Sequence, residues 1–286
     1  MSETARADLL ELACEVAVAA GRLLLGRGGR PEVVATKSSP TDVVTEADRT
    51  AEALIRELIG ERRPGDRILG EEGGETDAGS SSAARATRVR WIVDPLDGTV
   101  NYLYGLPDWA VSIAAEADGT VVAGAVFVPR RDELFSAALG RGAWLSSGAL
   151  DPRGEDPDSP ARLRCNQDVP LDRALVATGF GYEAGRRLVQ GEVLRGVLPV
   201  VRDIRRGGSA AVDLCSVASG SVDAYYERGV NLWDIAAGGL IAAEAGARVT
   251  GLHGRPASPS MTMAAAPALL GQLHDLLASL DPERDG

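Results

Sequence analysis

The stretch Trp91-Ile92-Val93-Asp94-Pro95-Leu96-Asp97-Gly98-Thr99 constrains this chain more than any other. An apolar run with strand character ends in an acid, a proline, a second acid and a glycine. Pro95 fixes its own φ and drives Asp94 towards an extended backbone. Gly98 then permits a sharp turn. Two carboxylates three residues apart at a strand end can face one ion, and the Leu96 carbonyl between them can add a third oxygen. Hard cations such as Mg²⁺ prefer such all-oxygen sites. Asp-rich turns after strands are also common without any ion, so this segment alone leaves both readings open.

Three further segments carry acids beside regular patterns. Ile68-Leu69-Gly70-Glu71-Glu72-Gly73 sets adjacent glutamates after a short apolar run. Leu232-Trp233-Asp234-Ile235 opens a helical pattern with an acid, which the helix dipole alone would favour. Thr45-Glu46-Ala47-Asp48 fits a capping box. A carboxylate held at a helix start is also rigid and oriented, so the two roles are compatible.

Periodicity predicts helices over 5–26, from 45 to about 59, and over 184–198, 209–219, 233–245 and 267–280. Strand patterns fall at 89–93, 109–117, 120–128, 132–138, 173–178, 222–227 and 247–250. The Gly/Ser/Ala-rich segment 73–87 reads as a mobile loop. Helices followed by a strand meander make the first half α+β, and strand–helix alternation makes the second half α/β. Prolines and acids in 151–160 mark a boundary. The expected parts are 1–150, with most of the candidate metal ligands, and 151–286, with Asp234 and the candidate substrate contacts.

At 286 residues and 45% hydrophobic content, the chain can build one large core or two packed ones. No apolar run approaches the roughly 20 residues that span a bilayer. The polar stretch from Met1 to Asp8 lacks a signal-peptide pattern, so a cytoplasmic protein is expected, without membrane contact. Cys14, Cys165 and Cys215 are scattered and form no CxxC motif, as expected of buried thiols in a reducing compartment. A net charge of −11 argues against a general nucleic-acid binder. Lys37 is the only lysine among 30 basic residues; it is either a surface residue or a point charge near the acids.

Taken together, the segments resemble the inositol monophosphatases. Lys37 to Asp48 is similar to their early loop-to-helix segment, and Gly70-Glu71-Glu72 to their GEE element. Asp94-Pro95-Leu96-Asp97-Gly98-Thr99 resembles their DP(I/L)DGT signature, and Gly208-Ser209-Ala210-Ala211 their substrate loop. Asp223-Ala224-Tyr225-Tyr226-Glu227 and Trp233-Asp234-Ile235-Ala236-Ala237-Gly238 complete the family order. The resemblance implies a layered α-β-α-β-α sandwich, usually dimeric. It implies two or three Mg²⁺ ions on Glu71, Asp94, the Leu96 carbonyl, Asp97 and Asp234, with Asp94 bridging two. Asp48 and Thr99 would polarise the attacking water, with Glu71 nearby. Gly98 and Thr99 amides would receive the phosphate. Gly208, Ser209, Ala210 and Glu227 would line the polyol side, with Asp97 and Asp234 also close to substrate. A long interval between Glu71 and Asp94, a divergent 151–160 and Ser at position 209 depart from the usual pattern.

The expected reaction is hydrolysis of a small polyol or sugar phosphate monoester, myo-inositol 1-phosphate first. Cations can neutralise the dianionic ester and activate water, and a loose transition state rewards positioning over covalent chemistry. The chain has no CxxxxxR loop, and its aspartates are spaced DxxD rather than DxD. Water attacking phosphorus directly, with inversion, is therefore expected. His253 and His274 are not expected to take part. Histidinol phosphate, fructose 1,6-bisphosphate and 3′-phosphoadenosine 5′-phosphate remain alternatives, because all would share the same metal site. A non-enzymatic alternative is a partner-binding protein on the same fold, as in bacterial transcription complexes.

Overall fold

The structure is a computed structural model that describes residues 1–27, 33–36, 43–76, 89–148 and 160–285, with backbone alone for 33–36 and 43–45. In chain order the first half contains α1 (Glu3–Gly26), β1 (Val33–Thr36), β2 (Val43–Thr45), α2 (Glu46–Arg62), β3 (Arg67–Gly70), β4 (Gly74–Thr76), β5 (Val89–Asp97), α3 (Thr99–Tyr104), β6 (Ala110–Ala117), β7 (Thr120–Val128), β8 (Glu133–Ala138) and β9 (Ala143–Ser147). The second half contains β10 (Ala161–Arg162), β11 (Leu175–Thr178), α4 (Ala184–Val197), β12 (Asp203–Arg205), α5 (Ala210–Ser219), β13 (Ala224–Glu227), α6 (Leu232–Glu244), β14 (Arg248–Thr250), β15 (Thr262–Ala265) and α7 (Pro267–Ser279).

Among the described residues, eight strands form one sheet in the order β10-β9-β8-β7-β6-β5-β3-β4. Five form a second in the order β12-β11-β13-β15-β14, and β1 with β2 makes a small hairpin. The pair β3/β5 is parallel, as are β11/β12 and β11/β13.

The apolar stripe predicted on the first helix is buried, with Leu9, Leu12, Val16, Ala20 and Leu24 all under 5% exposed. It packs with Ile55 and Ile59 of α2 against Trp91, Ile113 and Phe127 of the large sheet. At Gly21 an added Cβ would stand 2.5 Å from the Phe127 ring, so helix and strand meet there without room for a side chain. The opposite face of the sheet packs Ile92, Ala114 and Val126 against Val212, Ala237 and Ile241 of α5 and α6. The other side of those helices, with Leu214, Val217 and Ile235, covers Ala177, Tyr225 and Ala264 of the small sheet. The outer face of the small sheet is covered by Val189 and Val193 of α4 and Leu273 and Leu277 of α7. The order of layers is thus α-β-α-β-α, as the resemblance implied. It is stabilised mainly by apolar burial on both faces of each sheet.

Several elements went unrecognised in the sequence because they are short. Strands β3, β9, β12 and β15 span three to five residues, too few for alternation to show. Gly74–Thr76, placed in the predicted mobile loop, pairs antiparallel with β3. The remainder of that loop (77–87) lies outside the described residues, as do Lys37 and residues 151–159 of the expected boundary segment.

Candidate active site

The acids gather where β5 ends. In a regular strand, residues three apart point to opposite faces. Here the pairing with β6 runs Asp94↔Ser112 and then Asp97↔Ala110, so three steps on β5 match two on β6. This bulge inserts one extra residue, and it turns both carboxylates to the same side. Pro95, which has no N–H for a ladder, sits inside the bulge. On the other edge of β5, pairing with β3 has already stopped at Gly70↔Val93. Asp94 Oδ1 accepts the Leu96 amide at 2.9 Å, which fixes the carboxylate rotamer.

Gly98 follows with φ 95°. An added Cβ there would approach the Asp108 carbonyl oxygen to 3.0 Å, so both conformation and space call for glycine. Helix α3 then places Thr99 so that its hydroxyl is shared between Asp48 Oδ1 at 3.0 Å and the Leu96 carbonyl oxygen at 3.2 Å. Asp48 is fully buried on the first turn of α2.

Asp234 arrives on α6. Its Oδ2 accepts the Asn231 amide at 2.6 Å, and the Asn231 side chain accepts the amide of residue 234 in return. The sequence reading placed this acid at a helix start on dipole grounds alone; the structure adds a reciprocal capping box, which turns the carboxylate towards Asp94. Oxygens of Asp94, Asp97 and Asp234 lie within 4.8 Å of one another. Glu71, on the turn after β3, lines the same cleft and acts electrostatically on Asp94 and Asp234 without joining that tight triad.

Crowding and burying these acids opposes their ionisation. Burial, then the charges of Glu71, Asp97 and Asp234, pushes Asp94 well above the usual carboxylate range. Burial, then Asp97 and Glu71, does the same to Asp234. Asp97 is raised by burial to about 6, against hydrogen bonds from Ser209 Oγ at 2.6 Å and the Ala211 amide at 2.7 Å. The cluster must therefore be neutralised by protons or by a cation. An octahedral Mg²⁺ with oxygens at ~2.0–2.1 Å sets its ligands roughly 3–4 Å apart. The triad needs only a small contraction to match, and the all-oxygen donor set suits a hard divalent ion.

Glu227 ends β13 at the far wall of the cleft. Its carboxylate lies over Gly179, where a Cβ would stand 2.1 Å from Oε2, and accepts the Tyr225 hydroxyl at 3.0 Å. Burial raises it to about 7, against the Tyr225 hydrogen bond. Gly208 and Ala210 face the cleft, whereas Ser209 is 2% exposed. Its hydroxyl is engaged behind Asp97, and its oxygen also caps α5 by accepting the Val212 amide at 3.2 Å. The cleft as a whole encloses about 450 Å³, within the size range of small-molecule sites.

Three supporting residues escaped the sequence reading. Glu52, one turn after Asp48, is 3% exposed. It accepts the amides of Glu72 and Gly73 at 2.7 and 2.8 Å and pairs with Arg56 at 2.8 Å, which fixes the Glu71 turn. An acid at the apolar phase of Ala47, Ala51 and Ile55 was the available signal. Asn101 is 4% exposed and donates to the carbonyl oxygens of Asp108 and Gly207, tying α3 to the loop before α5. Arg206 lines the cleft, and its charge partly opposes the upward shift that burial gives Asp97, Asp213 and Glu227. No pattern singled out either of the last two.

The sequence model of the inositol monophosphatase family matches residues 5–283. An inositol-1-monophosphatase SuhB of Mycobacterium tuberculosis is 49% identical over 247 residues, covering 86% of this chain and 81% of the relative. A Nus factor SuhB of Pasteurella multocida is 35% identical over 269 residues, covering 93% and 94%. The solved structure of Mycobacterium tuberculosis SuhB superposes with a TM-score of 0.78 at 44% identity, covering 97% of this chain and 98% of that one.

Proposed function

The chain belongs to the inositol monophosphatase family, and on that premise we propose that it is a Mg²⁺-dependent phosphatase of small polyol phosphate monoesters, myo-inositol 1-phosphate foremost. The observation that carries the reading is the convergence of Asp94, Asp97 and Asp234 in one cleft with Glu71 beside them. A fold has no need to bury mutually repelling carboxylates unless something outside the chain offsets their charge.

In this reading Glu71, Asp94, the Leu96 carbonyl, Asp97 and Asp234 would hold two or three ions. Divalent cations bound there would neutralise the ester dianion, lower the pKa of water and stabilise the departing alkoxide. The chain's own groups supply position. Asp48 holds the Thr99 hydroxyl, and that pair orients the attacking water along the Leu96–Thr99 turn. Amides of Gly98 and Thr99 receive phosphate oxygens. Ser209 and the Ala211 amide hold Asp97 in one rotamer. Glu227, with Gly208 and Ala210 on the cleft wall, accepts hydroxyls of the leaving group. Residues 1–150 then supply most ligands, and 151–286 supply Asp234 and the leaving-group side. A homodimer and a cytoplasmic setting complete the proposal; no helix of the described residues is long and apolar enough to cross a membrane.

A phosphate-release panel with Mg²⁺ tests this, comparing inositol 1-phosphate, histidinol phosphate, fructose 1,6-bisphosphate and 3′-phosphoadenosine 5′-phosphate. Inositol 1-phosphate should turn over fastest, with inversion at phosphorus in a chiral isotopically labelled substrate. Retention would count against direct attack by water. A second reading, partner binding on the same fold, draws on the relative named as a Nus factor. It gains if the folded, Mg²⁺-loaded protein releases phosphate from none of the four.

A further inference from the structure

Tyr225 is fully buried, yet its hydroxyl meets a carboxylate of the cleft wall. It stands two residues before Glu227 on β13, so both side chains leave the same face of the strand. The ring is packed among Ala177, Leu214, Val217 and Ile235, between the small sheet and helices α5 and α6. Its hydroxyl donates to Glu227 Oε2 at 3.0 Å. Burial, then the charges of Glu227 and Asp213, pushes the phenol well above its ordinary range, so it stays a donor.

Glu227 is confined from a second side. The parallel pairing Thr178↔Tyr226 sets Gly179 beside it. A Cβ on Gly179 would stand 2.1 Å from Oε2 and 2.2 Å from Oε1, so the carboxylate lies flat over bare backbone. Gln190 of α4, itself buried, keeps the two segments together. Its Oε1 accepts the Gly181 amide at 3.0 Å, and its Nε2 donates to the Arg228 carbonyl oxygen at 3.1 Å. A glutamate side chain that is free in the empty site has to be ordered when a ligand binds, which costs affinity. Here that order is built into the fold before anything binds.

Resting on the reading in which Glu227 accepts leaving-group hydroxyls, we propose that Tyr225 is a positioning residue of the polyol side. Its hydroxyl holds the Glu227 carboxylate against Gly179, and so governs recognition of hydroxyl-bearing leaving groups without lining the cleft itself.

Kinetics with inositol 1-phosphate and Mg²⁺ test this. Tyr225→Phe keeps the ring and removes the donor. It should raise KM about fivefold, the order of one net hydrogen bond, and act little on kcat. Inhibition by inorganic phosphate, which carries no leaving group, should be unchanged. In a Glu227→Ala background the same substitution should leave KM where Glu227→Ala alone puts it, because Tyr225 acts through Glu227. Three results overturn the proposal and leave Tyr225 as part of the core: an unaltered KM in Tyr225→Phe, an equal weakening of phosphate inhibition, or an effect that adds in full to that of Glu227→Ala. Gly179→Ala, which drives the carboxylate off the hydroxyl and keeps both residues, gives the same comparison should Tyr225→Phe fail to fold. If Glu227→Ala leaves KM unmoved, the inference falls while the phosphatase reading stands. Absence of phosphate release from inositol 1-phosphate by the unmodified protein would instead sink the reading on which the inference rests.

Discussion

Ser209 Oγ donates to Asp97 Oδ2 at 2.6 Å across 112 positions of sequence, and the same oxygen caps α5 through the Val212 amide. One hydroxyl thus starts a helix between the two sheets and orients a candidate ligand at the end of β5. Ser209→Ala should cost about 1 kcal/mol through the lost cap and weaken Mg²⁺ affinity about tenfold through the lost orientation of Asp97. Ser209→Thr should recover both. Chemical denaturation and calorimetric Mg²⁺ titration read the two effects separately; unchanged affinity in the alanine variant would show that Asp97 is held by the Ala211 amide alone.

Asp94→Asn removes a charge whose formation burial and the neighbouring acids oppose. Phosphate release should fall about 10³-fold, because oriented negative charge for the cations is lost. The metal-free protein should melt at a temperature equal to or above that of the unmodified one, since burial and three neighbouring acids oppose ionisation of Asp94. A variant that melts lower and stays active would contradict both halves.

Stability of the metal-free protein should fall as pH rises from about 4 to 7. Asp97 and Glu227 are raised to about 6 and about 7 from ordinary values near 4. Below the ordinary values both carboxyls are neutral in folded and unfolded chains alike. Between the two limits the folded state holds protons that the unfolded state has lost, so stability declines with pH. Above the folded values the full cost of burying charge is present. Saturating Mg²⁺ should flatten the upper part of this decline. Melting curves at several pH values, with and without Mg²⁺, check the sign; a rise in metal-free stability across the window would refute it.

Glu52→Ala should destabilise by about 3–5 kcal/mol, because it strips two backbone amides and Arg56 of a buried acceptor. Freed from its tether, the Glu71 turn should also lose Mg²⁺ affinity. Glu52→Gln keeps the volume and one acceptor oxygen and should lose less. Denaturant midpoints and metal titrations compare the two variants.

Cys14 should be unreactive towards iodoacetamide in the folded protein at neutral pH. Burial, then Glu15 and Glu11, raises its thiol to about 12, and the thiolate is the reactive form. Cys14→Ser should leave turnover unchanged. Alkylation followed by mass spectrometry decides the first point and a rate assay the second.

Long elements were legible because their patterns repeat. The stripe on α1 and the meander from β6 to β8 each bury many residues at one phase, and the structure follows them within a residue or two. Short strands such as β12 and β15 carry too few residues for a phase, and only their neighbours define them.

The site divides in the same way. Sequence alone determined which acids to watch, because Asp94-Pro95-Leu96-Asp97-Gly98 dictates a strand end and a turn through local backbone sterics. Only the tertiary structure decided that a one-residue bulge against Ser112 and Ala110 swings Asp94 and Asp97 to one side, and that α6 delivers Asp234 to them. It also decided that Ser209 faces Asp97 and that Glu52 holds the Glu71 turn. Backbone preferences act over a few residues and are written locally. Burial and charge act between segments a hundred residues apart, and those distances exist only once the layers have packed.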